Sequence, residues 1–262
     1  MHQSPADYSI TREQFDAVLF DLDGVLTDTS RLHAACWKKM FDEFLRNRAE
    51  SRGEEFHPFS ITDDYYLYVD GRLRSDGVRD FLQSRNINLP EGDPDASPES
   101  ETVTGLGNRK NHMVNALMES DGIDVYADSV SWVRLLREHG YKTAVVSASS
   151  NCKTVLNSAK ILDLFEVIVD GTVAADLGLA GKPSPDTFLK AAEQLGVEPK
   201  RAVVVEDAIS GIQAGRSGGF GLVIGVARKE NAQALKENGA DVVVEHFKKF
   251  LHRRDAKGAE KN

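Results

Sequence analysis

The chain has 262 residues, of which 41% are hydrophobic, so it can bury a substantial core as one large domain or two smaller ones. Its net charge of −9 and the lack of a basic block argue against a nucleic-acid-binding role. Its apolar runs are shorter than the roughly 18–20 residues of a membrane span, and its start has no apolar signal segment, so no membrane partner is expected. The two cysteines, Cys36 and Cys152, match no disulfide or metal framework. Together these features predict a cytoplasmic protein with reduced thiols.

Six short apolar runs predict β-strands. In chain order they are AVLFDLD, KTAVVSAS, FEVIVDG, RAVVVED, GLVIGVA and DVVVEHF. The runs are continuous and not alternating, which is typical of strands that are covered on both faces. Because helical patterns separate most of them, the sequence predicts an α/β fold with a doubly wound parallel sheet and a Rossmann-like core.

Two of the intervening helices have recognisable ends. The segment DSVSWVRLLREHG has apolar residues at helical spacing, and Gly140 is expected to terminate it. The segment SPDTFLKAAEQLG predicts a helix with Ser184 as N-cap and Pro185 at the first helical position. This second helix is expected to end at Gly196.

Residues 29–122, after the first predicted strand, show helical patterns and no clear buried strand. We therefore predict a small helical cap domain inserted after strand 1, with the α/β core formed by residues 1–28 and 123–262. Inside the cap, the stretch NLPEGDPDASPESE contains three prolines and a surplus of acid, which predicts an exposed, mobile loop. The tail HRRDAKGAEKN is expected to be frayed.

Side chains suited to chemistry end the predicted strands or begin the helices that follow them. They are Asp21, Asp23, Ser147, Lys182, Glu206 and Asp207. Taken alone, each is typical of a turn, a helix cap or a solvated surface charge. In an open α/β sheet, however, ligands bind beyond the carboxyl ends of the strands, where all six would meet. Together they predict a cation site beside an anion site.

Such a combination favours phosphoryl transfer. Clustered carboxylates favour a hard divalent cation, and Mg²⁺ is the usual one where phosphate is also bound. A lysine near an ionised aspartate lowers the pKa of that aspartate and keeps it a competent nucleophile. A serine hydroxyl and backbone N–H groups can hold the non-bridging phosphate oxygens. Asp23, two residues after Asp21, can donate a proton to the leaving oxygen and later accept one.

The segments FDLDGVLTDT, SAS, GKPSPD and VVVEDAISGIQAG resemble, in order, the four motifs of the haloacid dehalogenase superfamily. The resemblance implies that Asp21 is the nucleophile and Asp23 the general acid/base. It also implies that Ser147 and Lys182 bind phosphate. An aspartate at position 23 argues against a true dehalogenase.

The same resemblance implies a Mg²⁺ site. The ion would be held by Asp21, the backbone carbonyl of Asp23, Asp207 and Glu206. The third acid of the first motif, Asp28, is predicted to be structural and to brace the hinge between core and cap.

The cap resembles that of the β-phosphoglucomutase-like branch of the superfamily. The similarity lies in the helix DTSRLHAACWKKMF, the Gly-x-x-Arg loop within DGRLRSDGV, the lysine of NRKN and the phosphate loop SASSN. It implies a set of substrate-binding residues: Thr29, His33, Trp37, Gly71, Arg72, Arg74, Lys110, Ser147, Ala148, Ser149, Asn151 and Lys182. Two of these have an alternative reading, because Trp37 can be a core aromatic and Arg74 an exposed surface residue.

The resemblance implies an enzyme that interconverts β-glucose 1-phosphate and glucose 6-phosphate through the 1,6-bisphosphate and an aspartyl phosphate. Two alternatives remain, a Mg²⁺-dependent sugar-phosphate phosphatase and a non-catalytic regulator that binds metal or phosphate. The expected partner is a phosphorylated sugar, and the chain is predicted to be a monomer, with a dimer as the alternative. The acidic loop and Asp70, where the mutases carry a lysine, depart from the branch and leave the physiological sugar open.

Overall fold

A computed structural model of the chain describes residues 10–228 and 231–247. Six parallel strands form one sheet: β1 (Ala17–Phe20), β2 (Lys142–Val146), β3 (Val167–Val169), β4 (Ala202–Glu206), β5 (Leu222–Val226) and β6 (Val242–Val244). Their order in the sheet is β3-β2-β1-β4-β5-β6. This confirms the six predicted strands and the doubly wound α/β class. Phe20, the last residue of β1, pairs with Val145 on one side and Val205 on the other, so the residues that follow it reach the middle of the carboxyl edge.

Nine α-helices lie within the described residues. They are α1 (Ser30–Arg52), α2 (Arg74–Ser84), α3 (Val103–Asp121), α4 (Ala127–Glu138), α5 (Cys152–Ser158), α6 (Gly171–Leu177), α7 (Asp186–Leu195), α8 (Ile209–Ser217) and α9 (Ala232–Glu237). Successive side chains of β1 alternate between two apolar cores, one on each face of the sheet, with Val18 and Phe20 in one and Ala17 and Leu19 in the other. In the part of the chain that is described, no helix combines the length and the hydrophobicity that a bilayer crossing requires.

Helix α7 begins one residue later than the sequence predicted. Its first residue is Asp186 and Pro185 holds the N-cap position, so the assignment of Ser184 as N-cap is wrong. The hydroxyl of Ser184 donates to Oδ1 of Asp186, the first residue of the helix, at 2.7 Å. The predicted end is confirmed, because Gly196 follows the helix with a φ of 63°.

Helices α1, α2 and α3 follow β1 and pack around an apolar core of their own, together with a π-helical turn at Tyr65–Val69. The core is aromatic: the rings of Trp37 and Phe41 stack at 5.4 Å, and those of Phe41 and Phe81 lie 4.2 Å apart. The segment between the first two strands is therefore helical, as predicted. The boundaries of a cap domain at residues 29 and 122 stay a prediction.

The two connections between this helical region and the sheet lie side by side. The backbone N–H of Asp28 donates to the carbonyl of Asp124, and that of Tyr126 donates to the carbonyl of Leu26, both at 2.9 Å. The phenol of Tyr126 donates to Oδ1 of Asp28 at 2.8 Å. These contacts agree with the bracing role predicted for Asp28.

The acidic loop before α3 is mostly exposed, as predicted, and it is tied to the neighbouring helices. Nδ2 of Asn108 donates to the carbonyl of Ala96 at 2.9 Å, and Nε of Arg109 donates to that of Pro98 at 2.6 Å. The mobility of the loop stays a prediction. The tail predicted to be frayed lies outside the described residues.

Candidate active site

Asp21 directly follows β1 and lies at the centre of the carboxyl edge of the sheet. Its backbone N–H donates to the carbonyl of Val205 at 2.9 Å, which continues the sheet pairing by one residue. The ammonium of Lys182, in the loop before α7, lies 2.5 Å from Oδ1 of Asp21, 2.6 Å from Oε1 of Glu206 and 3.1 Å from the carbonyl of Val146. All three protons of this buried ammonium therefore have acceptors, and two of the acceptors are acids, one directly after β1 and one at the end of β4.

The ionisation of this pair follows from its burial. Burial raises the pKa of the Asp21 carboxyl, and the ammonium of Lys182 opposes that rise. Burial alone would lower the pKa of Lys182, but the carboxylates of Asp21 and Glu206 outweigh it and raise that pKa. Lys182 therefore stays charged, and its charge favours the ionised form of Asp21.

Three buried acids form a candidate metal site at the same edge. Asp21, Glu206 and Asp207 each offer a carboxylate oxygen, and these atoms lie within 4.8 Å of one another. An all-oxygen donor set of this kind fits a hard divalent cation. A glycine is required beside it, because Gly24 has a φ of 86° and a Cβ there would come within 2.0 Å of Oδ2 of Asp207. Glu206 also anchors the loop that carries Asp207, since its Oε2 accepts from the N–H of Ala208 at 2.8 Å.

The carboxylate of Asp23 is not part of this three-acid group. Its Oδ1 accepts a hydrogen bond from the hydroxyl of Thr29 and lies 3.6 Å from Nε2 of His33. Thr29 is itself buried and exchanges a 2.8 Å hydrogen bond with Thr27. The side chain therefore contacts the beginning of the helical region. The predicted metal contact through the backbone carbonyl of Asp23 stays a prediction.

A histidine and a lysine from two different helices meet beside Asp23. Nδ1 of His33 lies 2.7 Å from Nζ of Lys110, and that ammonium lies 4.9 Å from the centre of the Trp37 ring. Burial and the charge of Lys110 lower the pKa of His33 to about 4, so its ring is neutral at pH 7. Nδ1 therefore accepts the hydrogen bond, and the proton on Nε2 faces Asp23. Burial also lowers the pKa of Lys110, to about 8.

The predicted phosphate loop follows β2. The N–H of Ser149 donates to the hydroxyl of Ser147 at 3.1 Å, and the N–H of Asn151 donates to the hydroxyl of Ser149 at 3.2 Å. Nδ2 of Asn151 also donates to Oδ1 of Asn111, in α3, at 3.0 Å. The loop is thus held in a tight turn and is tied to the helical region through a residue that the sequence did not single out.

The Gly-x-x-Arg loop rests directly on the segment that follows the metal-site acids. The hydroxyl of Ser210, in the first turn of α8, donates to the carbonyl of Asp70 at 2.8 Å. Gly71 has a φ of 70°, and a Cβ at this position would come within 2.5 Å of the Ser210 hydroxyl. A glycine is therefore needed for this close approach, which closes one end of the cleft.

The two arginines of this loop differ in their partners. Arg72 forms an ion pair with Asp80 and donates to the carbonyl of Leu67 at 3.0 Å. Arg74 begins α2, and its side chain lies against Gly107. A Cβ added at Gly107 would come within 3.3 Å of the Arg74 side chain. Within residues 10–228 and 231–247, the guanidinium of Arg74 has no carboxylate partner. It is half-buried, and it is not the exposed surface residue that the alternative reading describes.

These residues surround one cleft between the sheet edge and the helical region. Of the residues predicted to bind substrate, the cleft is lined by His33, Trp37, Gly71, Arg72, Arg74, Lys110, Ala148 and Ser149. Thr29, Ser147, Asn151 and Lys182 lie outside this lining. Trp37 is both part of the aromatic core and a wall of the cleft, so its two readings are compatible.

Five further residues line the cleft: Tyr65, Val69, Asp70, Asn111 and Ser150. Sequence reasoning noted Asp70 only as a departure from the branch and did not predict the other four. Three of these five belong to the run YYLYVDG, in which three tyrosines come shortly before the glycine of the Gly-x-x-Arg loop. That aromatic run was the available signal. Its meaning depends on the π-helical turn, which sequence periodicity does not indicate.

Comparison with known proteins gives a consistent result. A family model described as haloacid dehalogenase-like hydrolase matches residues 15–219. The chain is 48% identical over 242 residues to a β-phosphoglucomutase of Mycobacterium bovis, covering 91% of this chain and 92% of that protein. It is 28% identical over 230 residues to a phosphorylated carbohydrates phosphatase of Thermotoga maritima, covering 87% and 94%. The crystal structure of a β-phosphoglucomutase from Clostridium difficile matches with a TM-score of 0.68 at 27% identity, covering 90% and 92%.

Proposed function

This chain belongs to the haloacid dehalogenase-like hydrolase family and is an enzyme of phosphoryl transfer, and we propose that it is a β-phosphoglucomutase, which interconverts β-glucose 1-phosphate and glucose 6-phosphate. The observation that carries the proposal is a cleft with the nucleophile on one side and two cations on the other. Asp21, paired with the buried Lys182, lies on the sheet side, and Arg74 and Lys110 line the opposite, helical side. A sugar that carries a phosphate at each end matches such a cleft.

We assign the three-acid site to Mg²⁺. Asp21, Asp207, Glu206 and the backbone carbonyl of Asp23 would hold the ion, which is consistent with the all-oxygen donor set. When bound, Mg²⁺ neutralises charge on the phosphoryl oxygens and orients the phosphate for in-line displacement.

The side chains of this chain divide the two transfers between them. Asp21 attacks the phosphorus at C1 of the 1,6-bisphosphate, so a bond from its carboxylate oxygen to phosphorus forms while the bond to the sugar oxygen breaks. Asp23 gives its proton to the departing sugar oxygen, and glucose 6-phosphate leaves. When β-glucose 1-phosphate has taken its place, Asp23 takes the proton of the 6-hydroxyl. That hydroxyl then accepts the phosphoryl group from Asp21, which restores the bisphosphate, and the bisphosphate reorients in the cleft for the next cycle.

The products formed from one substrate separate a mutase from a phosphatase. With β-glucose 1-phosphate, Mg²⁺ and a trace of the 1,6-bisphosphate, glucose 6-phosphate is expected to form at least about tenfold faster than free phosphate, because the helical region shields the aspartyl phosphate from water. Both products are measured in the same samples. Phosphate released at an equal or greater rate, without glucose 6-phosphate, would support the phosphatase alternative. If neither product forms, the chain would instead be a non-catalytic protein that binds metal or phosphate.

Arg74 is expected to hold the phosphate that is not being transferred. Replacing it with alanine (Arg74→Ala) should lower kcat/KM for β-glucose 1-phosphate by roughly 100-fold, and for a small aryl phosphate by less than about threefold, because only the sugar substrate offers a second anion during the cycle. The two rates are compared in one preparation. Arg79→Ala, which removes an exposed arginine of the same helix, is the matched control. Equal losses on both substrates in the Arg74 variant would remove this assignment.

The lowered pKa of Lys110 predicts a pH dependence of substrate affinity. Above pH about 8 the lysine loses its proton and its charge, so KM for the sugar phosphate is expected to rise by roughly tenfold between pH 7 and pH 9. In Lys110→Arg, where the cation stays charged, the rise should be at least halved. Lys39→Arg, an exposed position on α1, is the control and should keep the wild-type profile. Identical profiles in the wild type and the Lys110 variant would contradict this origin.

A further inference from the structure

The loop between β4 and α8 carries Asp207, and the peptide group that follows this acid is held at both ends. That peptide group joins Asp207 to Ala208. Its N–H donates to Oε2 of Glu206 at 2.8 Å, and its carbonyl accepts a hydrogen bond from Nδ2 of Asn231 at 3.1 Å. Because a peptide group is a rigid plane, turning it would strain both hydrogen bonds together. The two side chains therefore fix the backbone from which the Asp207 carboxylate projects.

Asn231 makes this contact instead of capping its own helix. It is the N-cap residue of α9, a position where asparagine commonly accepts a hydrogen bond from a backbone N–H of the first turn. Its side chain makes no such cap bond. Its Oδ1 is buried and has no hydrogen-bond partner among the residues that the structure describes. The side chain thus bonds to the metal-site loop and leaves α9 without a side-chain cap, which indicates a role outside the helix.

An amide suits this position for two chemical reasons. The carbonyl of Asp207 can only accept, so a donor has to face it, and the amide nitrogen of Asn231 supplies that donor. An amide is also neutral. A lysine or arginine would donate equally well, but its positive charge would compete with a metal cation for the nearby carboxylates. Asn231 therefore holds the loop and leaves the charge of the acids for the ion.

The three-acid site depends on how well its members are held. The carboxylate oxygens of Asp21, Glu206 and Asp207 lie within 4.8 Å of one another, and without an ion such charges repel each other. A loop that could turn would let the Asp207 carboxylate move away from the other two. We propose that Asn231 is a positioning residue of this site, which holds the carbonyl of Asp207 and thereby raises the affinity for Mg²⁺, an inference that rests on the metal assignment within the proposed function.

Two substitutions of Asn231 separate metal affinity from the stability of α9. Asn231→Ser and Asn231→Ala both remove the donor to Asp207, since serine is about one bond shorter than asparagine, but only serine can cap α9. In calorimetric titration with Mg²⁺ alone, both variants are expected to bind the ion about tenfold more weakly than the wild type. Without Mg²⁺, the serine variant should melt at or above the wild-type temperature, and the alanine variant about 2–4 °C below the serine variant.

The comparison between the two variants decides the matter. Mg²⁺ affinity that follows the melting temperature, lowered in the alanine variant and unchanged in the serine variant, would show that only the stability of α9 counts and would overturn the proposal. The matched control is Asn238→Ser. Asn238 follows the other end of α9, and its Nδ2 donates to the carbonyl of Ala234 at 2.9 Å. This control should bind Mg²⁺ with wild-type affinity.

The variant Asp207→Asn separates this inference from the proposed function. Titration requires no turnover, so its result does not depend on whether the enzyme is a mutase or a phosphatase. If Asp207→Asn weakens Mg²⁺ binding by at least about 30-fold and the Asn231 variants do not weaken it, the metal assignment stands and the role of Asn231 is wrong. If Asp207→Asn binds Mg²⁺ as tightly as the wild type, the metal assignment is wrong and this inference falls with it.

Kinetics with a small aryl phosphate provide a second readout. Asn231 does not line the cleft, so it is not expected to contact the substrate. In Asn231→Ser, the Mg²⁺ concentration for half-maximal rate should rise about tenfold, while the rate at saturating Mg²⁺ stays within about threefold of wild type. A lower rate at saturating Mg²⁺ with an unchanged half-maximal concentration would contradict a role in metal affinity.

Discussion

Replacing Asp21 with asparagine (Asp21→Asn) is expected to reduce turnover to less than about one percent of wild type, because removing a catalytic nucleophile commonly costs orders of magnitude. A neutral amide cannot form the acyl phosphate on which both transfers depend. The fold should persist, since Lys182 keeps its contacts with Glu206 and with the carbonyl of Val146. The measurement is a single turnover with a chromogenic aryl phosphate, quenched and followed by the intact mass of the protein. The wild type gains one phosphoryl group, and the variant gains none.

The first motif supplies its own control for this experiment. Asp28→Asn changes an aspartate seven residues away that accepts a hydrogen bond from Tyr126 at the predicted hinge and does not line the cleft. It is expected to retain activity within roughly tenfold of wild type, because hinge substitutions affect the rate of opening and not the chemistry. Comparable losses in the two variants, or a phosphorylated Asp21 variant, would identify a different nucleophile.

The sheet and the core of the site were predictable because local sequence determines them. Each buried strand is a continuous apolar run, and its polar successor marks the carboxyl edge, as Phe20 followed by Asp21 illustrates. Parallel pairing then brings the ends of β1, β2 and β4 together whatever the loops do. The start of α7 was misplaced by one residue because serine and proline both favour the beginning of a helix.

The cleft was less predictable, because its contacts join residues that are far apart in sequence. His33 and Lys110 are separated by 77 positions and meet only when α1 and α3 pack. Of the two arginines in the loop, Arg72 pairs with Asp80, and Arg74 has no carboxylate partner among the described residues. This difference depends on the register of α2 against the preceding turn. Composition and periodicity do not encode such pairings. The resemblance to a known cap named most of the cleft residues but did not indicate how each is held.

Removing the charge of Lys182 is expected to have the largest effect on stability. The ammonium is the partner of two buried carboxylates, those of Asp21 and Glu206. Lys182→Met keeps the length of the side chain and leaves both acids uncompensated, which should lower the free energy of unfolding by about 3–5 kcal/mol. Turnover should fall by at least about 100-fold, because the nucleophile loses the cation that favours its ionised form. Chemical denaturation and steady-state kinetics measure the two effects.

Magnesium provides a way to distinguish this electrostatic origin from lost packing. A cation at the three-acid site replaces part of the missing positive charge, so Mg²⁺ should raise the melting temperature of Lys182→Met more than that of the wild type. Lys190→Met, which removes a lysine of α7 that pairs with the exposed Glu193, is the control. It should change the free energy of unfolding by less than about 1 kcal/mol, as surface ion pairs do. If the Lys182 variant matched this control and showed no added response to Mg²⁺, the buried acids would not depend on the lysine, and its proposed role in keeping Asp21 ionised would have to be abandoned.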